Sequence, residues 1–249
     1  MPDEDVPERG LPDRGTPEQG TTIAQRVVAV RARIAAAADR VGRDPAEVTL
    51  VAATKTVDAA RVAEVVAAGV ADLGENRAQE LVAKAPLVAT RLEALRAGAS
   101  SGASSPTPRW HFLGALQRNK VRAVAPWVSC WQSVDRAALG AVIARHAPGA
   151  RVFVEVNLGR EDQKPGCPPE SAGELCRALG DLGLHVEGLM AVPPRDDDPR
   201  GWFTTLRGLA AELGIAGLSM GMSDDFEIAV EEGATVVRVG RAIFGERPT

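Results

Sequence analysis

The stretch Leu50-Val51-Ala52-Ala53-Thr54-Lys55-Thr56 decides how the rest of the chain is interpreted. It is a short apolar run, typical of a buried strand, that ends in a lysine, and a helical pattern (58–68) follows at once. An open, doubly wound sheet usually carries a glycine-rich nucleotide-binding turn after its first strand, and here Thr54-Lys55-Thr56 stands in that place. The stretch therefore favours the other arrangement of alternating strands and helices, which is a closed barrel.

Strand and helix patterns alternate along the remaining sequence. The predicted strands are 48–53, 70–73, 109–113, 127–132, 152–157, 184–190, 215–220 and 235–239. Such alternation predicts right-handed βαβ units and a parallel sheet. Eight units in roughly 200 residues fit a single (β/α)8 TIM barrel. An N-terminal helix, which Thr21 or Thr22 caps and which runs to about Val41, precedes the first strand.

Two segments fall outside this alternation. Residues 1–20 have a proline every five positions, six acidic residues and few apolar ones, so we predict a disordered, acidic Pro/Gly-rich tail. Residues 97–108, AGASSGASSPTP, predict a flexible Gly/Ser/Pro loop. We therefore expect one barrel domain over residues 21–249, with the flexible loop inside it and the tail before it.

Composition excludes several classes of protein. The chain is 45% hydrophobic and 25% charged, with a net charge of −4, so no global basic field predicts nucleic acid or a membrane surface as a partner. No apolar run reaches the ~18 residues of a membrane span, and no secretory signal pattern opens the chain. Three cysteines without a C-x-x-C pair fit a reducing compartment and argue against a disulfide scaffold or a zinc site. We expect a cytoplasmic protein without a metal, and a monomer because no sustained heptad repeat indicates assembly.

The chemistry of such a barrel lies at the carboxyl ends of its strands. Lys55 follows the first strand, in a chain with four lysines among 29 basic residues. Forming an imine with an aldehyde is one reaction that requires lysine, because arginine has no primary amine to offer. A lysine that merely extends to solvent is the alternative.

An anion site is predicted beside this lysine. The loops after strands 7 and 8 are the recurrent phosphate site of the barrel. Residues 219–223 lead towards a helix, and Gly240-Arg241 does the same after strand 8, so free backbone N–H groups favour an anion there. An aldehyde that carries a phosphate satisfies both features, and pyridoxal 5'-phosphate is the common example.

Each further residue at this rim has a purely structural alternative. Ser223 can cap a helix, and Asn76 can cap a helix or lie in a turn. Arg238 can form a structural salt bridge, and His111 can be a hydrogen-bonded core residue. Their shared position at one rim favours a site.

Six stretches resemble a known family. They are VAATKT (51–56), LGENRAQE (73–80), WHFLGALQRNK (110–120), VNLGREDQKPG (156–166), GLMAVP (188–193) and LSMGMSDDFEIAVEEGATVVRVGRAIFG (218–245). They resemble the pyridoxal-phosphate homeostasis proteins, single-domain proteins similar to the barrel domain of alanine racemase. The resemblance runs from about Val48 to Gly245.

The resemblance implies a role for each of eight residues. Lys55 matches the lysine of the internal Schiff base, Arg238 the arginine near the pyridine nitrogen, and Ser223 with the Gly240 backbone the phosphate cradle. Pocket-lining positions are matched by Asn76, His111 and Met220. Arg241 is a departure, because family members usually have Ser or Thr there to contact the phosphate, and its charged side chain either replaces that contact or points away. The third-strand motif also departs, with Gly114-Ala115-Leu116 where the family often has Gly-His-Leu.

The implied function is binding, buffering and delivery of pyridoxal phosphate to apo-enzymes, without catalysis. The alternative is a racemase-like enzyme that acts on amino acids. Racemases of this fold take a tyrosine from a second domain as the opposite base, whereas this chain has no tyrosine and ends at Thr249, just past strand 8. A third hypothesis is a regulatory module that acts through protein contacts made by the acidic tail.

Overall fold

A computed structural model describes residues 20–98, 105–194 and 197–245. Within these ranges, eight parallel strands follow one another around a closed barrel, and β1 is hydrogen-bonded to β8. The strands are β1 Thr49–Ala53, β2 Asp72–Glu75, β3 Arg109–Phe112, β4 Val128–Val134, β5 Arg151–Glu155, β6 His185–Met190, β7 Gly217–Ser219 and β8 Val236–Val239. The predicted (β/α)8 barrel is confirmed.

Helices lie around the outside of this barrel. They are α1 Ile23–Arg40, α2 Ala59–Ala67, α3 Ala78–Gly98, α4 Val121–Val124, α5 Ala137–His146, α6 Ala172–Asp181, α7 Pro199–Glu212, α8 Phe226–Glu231 and α9 Arg241–Phe244. Helix α1 is the predicted N-terminal helix. Thr22 caps it, and the Thr22 hydroxyl and the Gln25 side chain bond reciprocally to the backbone of the first turn.

Parts of two predicted segments lie outside the described residues. These are residues 1–19 of the tail and residues 99–104 of the 97–108 loop. The disorder of the tail, the flexibility of the loop and the resulting domain boundaries therefore stay predictions.

The buried side chains form two apolar clusters. The larger one fills the layer between the strands and the helices. A small cluster inside the barrel consists of Val51, Cys130, Phe153, Met190 and Val236. Polar groups share the barrel interior with this small cluster, and they position the candidate site.

Helix α3 extends much further than the sequence predicts. The pattern favours an end near Lys84, but the helix continues through Pro86 to Gly98. A proline in a helix interior costs about 3 kcal/mol. Leu81, Val88 and Leu92 are all essentially fully buried on one face of this helix, and each such side chain contributes roughly 1.5–3 kcal/mol. The burial of these side chains therefore outweighs the energetic cost of Pro86 within the helix.

Candidate functional site

Lys55 lies in a tight turn at the end of β1. The Val57 N–H donates to the Thr54 carbonyl oxygen at 2.9 Å, which makes Lys55 and Thr56 the central residues of a four-residue turn. The Lys55 side chain is half-buried. In the part of the chain that the structure describes, its amine makes no hydrogen bond or ion pair, so it is available to react.

Ser223 faces the start of α9. Its hydroxyl oxygen accepts a hydrogen bond from the Gly240 N–H at 3.1 Å and a longer one from the Ala242 N–H at 3.4 Å. The alternative that Ser223 caps α8 is wrong, because α8 begins three residues later, at Phe226. The hydroxyl and these two N–H groups instead converge between the β7–α8 and β8–α9 loops.

Gly240 brings this group of donors close to β1. A Cβ atom at position 240 would lie only 3.3 Å from the Ala53 carbonyl oxygen, which is closer than Cβ atoms usually approach. The absent side chain therefore lets the end of β8 approach the end of β1. The Lys55 turn and the Ser223 hydroxyl consequently belong to one part of the rim.

Arg238 is a buried cation inside the barrel at the same end. Its guanidinium donates to the Ser219 hydroxyl at 2.6 Å and to the Ala191 carbonyl at 3.0 Å, and only 5% of the residue is exposed. Burial lowers the pKa of Arg238 to about 10, although the Glu155 and Asp225 carboxylates oppose that shift. The side chain therefore stays charged at neutral pH, and no carboxylate forms a salt bridge with it among the described residues.

A one-way series of hydrogen bonds runs from Arg238 through the barrel. The Ser219 hydroxyl accepts from Arg238, so it donates to Gln132 Oε1 at 2.6 Å. The Gln132 amide then donates to His111 Nδ1 at 2.7 Å. The His111 Nε2–H donates in turn to Asp72 at 2.9 Å. These directions assign His111 as the neutral tautomer that carries its proton on Nε2.

The series ends on Asp72 at the amino-terminal end of the barrel. Arg109 donates two hydrogen bonds to this carboxylate, at 2.8 and 2.6 Å. Burial favours the neutral carboxyl, but the hydrogen bonds from His111 and Arg109 outweigh it and lower the pKa of Asp72 to about 2. Both ring nitrogens of His111 are thus occupied, as in the core-histidine alternative, and its contact with a cofactor stays a prediction.

The structure places the other three predicted site residues differently from one another. Asn76 is half-buried directly after β2, at the same rim as Lys55. Met220 is fully buried in the apolar layer between strands and helices, so it would line a pocket through its backbone. Arg241 is largely exposed and forms an ion pair with Asp224, which links the β8–α9 loop to the β7–α8 loop.

Glu155 is a site feature that sequence reasoning missed. It is 6% exposed at the carboxyl end of β5, and its Oε2 atom is buried without a hydrogen-bond partner. Burial, together with the Asp135 carboxylate, raises the pKa of Glu155 to about 7, against the opposing charge of Arg238. An orphaned carboxyl oxygen of this kind is a group to which a ligand can bind.

A period-two pattern is the signal that points to these interior residues. Gln132 lies two positions after the inward-facing Cys130, and Glu155 lies two positions after Phe153. Side chains two apart on a strand share a face, so both polar residues are expected inside the barrel.

The described residues form neither a metal site nor a membrane-spanning helix. Among the residues described, no group of three or more His, Cys, Asp or Glu side chains can hold a metal ion. No helix in the described ranges is long and apolar enough to cross a membrane.

A cavity of about 440 Å³ lies at the opposite end of the barrel, beside Arg31 and Arg109. Both arginines already bond to protein groups there, so the cavity offers no evident recognition chemistry.

Comparison with known proteins gives consistent results. Residues 26–248 match the family described as "Alanine racemase, N-terminal domain". A pyridoxal phosphate homeostasis protein of Pseudomonas aeruginosa is 40% identical over 237 residues, which cover 91% of this chain and 96% of that protein. The protein of the same name from Escherichia coli K12 is 36% identical, covering 90% and 97%. The structure of PipY from Synechococcus elongatus PCC7942 with PLP bound has a TM-score of 0.74 and 32% identity, covering 90% of this chain and 100% of PipY.

Proposed function

Because the chain belongs to the alanine racemase N-terminal domain family, and within it to the pyridoxal phosphate homeostasis proteins, we propose that it binds pyridoxal 5'-phosphate on Lys55 and serves pyridoxal phosphate homeostasis. In this role it holds the cofactor as a Schiff base, buffers its concentration and delivers it to apo-enzymes. The protein acts as a monomer in the cytoplasm. A recipient enzyme is the only macromolecular partner that it requires.

One observation carries this proposal. The amine of Lys55, which has no partner among the described residues, lies at the end of β1, and the close approach of Gly240 to Ala53 brings the donors around Ser223 to the end of the same strand. Bound pyridoxal phosphate supplies an aldehyde carbon, a phosphate and a pyridine ring that can accept electrons. Lys55 would hold the cofactor through its primary amine, which is the group that can condense with an aldehyde.

The remaining rim residues fit the other parts of the cofactor. The Ser223 hydroxyl and the N–H groups of Gly240 and Ala242 are neutral donors at the start of a helical turn, so they suit phosphate oxygens. In this structure the two N–H groups donate to the Ser223 oxygen, which leaves the hydroxyl proton of Ser223 to be donated to a phosphate. The Arg238 guanidinium keeps its protons at neutral pH and can only donate hydrogen bonds. If it faces the ring nitrogen, that nitrogen must accept and would stay unprotonated. An unprotonated ring is a weaker electron sink, which suits storage better than catalysis.

The deciding experiment traps the bound cofactor. Pyridoxal phosphate is added to the full chain, the imine is reduced with borohydride, and the labelled peptide is identified. We expect an imine absorption band and a label on Lys55 rather than on Lys84, Lys120 or Lys164. A label that is spread evenly over the lysines, or no label at all, would refute the proposal.

Racemisation of alanine is expected to be negligible. No tyrosine occurs among the 249 residues, so the opposite base of a racemase has no counterpart in the sequence. General acid–base catalysis contributes about 10²–10⁴-fold to a rate. Chiral chromatography of alanine incubated with the loaded protein measures this directly, and robust turnover would favour the racemase hypothesis.

Arg241 is predicted to contribute to cofactor retention. Replacing it with alanine removes a cation next to the proposed phosphate position, so release of pyridoxal phosphate is expected to quicken about fivefold, equivalent to one hydrogen bond of ~1 kcal/mol. Arg241→Thr should restore slow release, because its hydroxyl can donate there instead. The release rate is measured as the rate at which the cofactor is transferred to an apo-enzyme. If both variants match the parent, Arg241 does not contact the phosphate.

A further inference from the structure

The Lys55 turn is backbone-strained. Thr56 has a φ of +65°, and it is one of two non-glycine residues with positive φ in the described chain. A β-branched residue rarely adopts this strained conformation, which persists only when surrounding contacts enforce it. The turn residue next to Lys55 therefore needs an external restraint.

That restraint comes from a group that we call the Lys84 cluster. It consists of the buried residues Thr54, Glu75 and Lys84 and the half-buried Glu80. The Lys84 ammonium, on α3, donates to the Thr54 carbonyl at 2.8 Å and to Glu75 Oε2 at 2.5 Å. The Thr54 hydroxyl donates to the same Glu75 oxygen at 3.0 Å. Glu75 is fully buried and Lys84 is 8% exposed. The residue that precedes Lys55 is therefore fixed by a desolvated ion pair.

The residue that follows Lys55 is held by the same helix. The Thr56 N–H donates to Glu80 Oε2 at 3.0 Å. That oxygen lies 3.6 Å from the Lys84 ammonium. Burial favours the neutral form of Glu80, but the Thr56 N–H and the Lys84 charge outweigh it and lower the pKa of Glu80. Glu80 thus remains a charged acceptor, and both neighbours of Lys55 are tied to one ammonium.

We propose that Lys84, with Glu75 and Glu80, is a positioning group that holds the turn in the shape presenting the Lys55 amine to an aldehyde. This inference rests on the proposed function of Lys55. Lys84 then has the role of positioning Lys55, and it does not bind a second cofactor molecule. Lys84 itself is unsuited to imine formation, because three oxygens surround its ammonium and little of it is exposed.

The test removes the ion pair without leaving a buried lone charge. Lys84→Met alone would strand the Glu75 carboxylate, which is strongly destabilising, so Glu75→Gln and Lys84→Met are combined in one full-length variant. Arg33→Met is the matched control, because it removes a bidentate ion pair with Glu227 between α1 and α8. Two probes separate position from folding: pyridoxal phosphate, and pyridoxamine phosphate, which has the phosphate and ring but no aldehyde.

We expect the double variant to react with pyridoxal phosphate about tenfold more slowly or worse, since small misplacements of a reacting group cost up to ~100-fold. Its dissociation constant for pyridoxamine phosphate should stay within about twofold of the parent value. Hydrogen exchange in a peptide spanning Thr56, measured without cofactor, should quicken by a similar factor of ~10 because the turn is released.

Two outcomes would overturn the inference. In one, the double variant reacts as fast as the parent and the Arg33→Met control. In the other, both probes weaken equally, which indicates general destabilisation. Failure of the proposed function looks different: the parent itself forms no adduct on Lys55, and the positioning proposal falls with it whatever the exchange rate of the turn.

Discussion

A Lys55→Ala variant is expected to lose the imine band and the borohydride adduct. Imine formation requires a primary amine, and two of the three other lysines are held in ion pairs. Lys84 is buried in its ion pairs, Lys164 pairs with Glu161 at 2.6 Å, and Lys120 lies in a short helical turn after β3. With the positioned amine gone, adduct yield should fall by on the order of 100-fold, because effective concentration is lost.

Lys55→Arg is the matched control for this loss. It retains the charge and length of the side chain but cannot form an imine, so it should also fail to trap. Both variants should still bind pyridoxamine phosphate, because the donors around Ser223 and the buried Arg238 are unchanged. The measurements are the absorption spectrum, peptide mapping and titration calorimetry. Equal trapping by Lys55→Ala and the parent would show that the site lies elsewhere.

The fold was predictable because its signals are local and repeated. Each strand is a short apolar run bounded by turn residues, and eight alternations leave few topologies. Boundaries were less accurate where tertiary contacts decide them. The second strand was predicted at 70–73 but lies at Asp72–Glu75. The sequence pattern from Ser223 to Glu232 predicts a helix, but α8 begins only at Phe226. Strand β2 takes its backbone partners from β1 and β3, and the Ser223 hydroxyl accepts from the Gly240 N–H. These contacts come from distant segments, which no local pattern encodes.

The candidate site divides in the same way. The positions of Lys55, Ser223 and Gly240 at one rim were predictable because each follows a strand, and all carboxyl ends of a parallel barrel meet there. Gln132 and Glu155 were missed because they lie within strands, where polar residues look like interruptions. The Lys84 cluster was missed for another reason. Lys84 and Thr54 are 30 residues apart, and only the packing of α3 against the barrel joins them.

The stability of the protein should depend on Glu155. This carboxyl has a pKa of about 7 in the folded protein and an ordinary value of 4.5. The folded state therefore retains a proton that the unfolded chain has released, and stability falls as pH rises from about 4.5 to about 7. The difference of the two values corresponds to a loss of about 3 kcal/mol, which is complete above pH ~7.

Glu155→Gln should remove this loss, because an amide has similar shape and no charge to desolvate. The free energy of unfolding of the cofactor-free variant should exceed that of the parent by up to about 3 kcal/mol at pH 8 and by little at pH 5. Urea unfolding at the two pH values measures the difference. Glu174→Gln, at an exposed site on α6, is the control and should change stability by less than about 0.5 kcal/mol at either pH. If the advantage of Glu155→Gln is the same at pH 5 and pH 8, the carboxyl does not titrate between them, and a partner that stabilises its charge must reach Oε2.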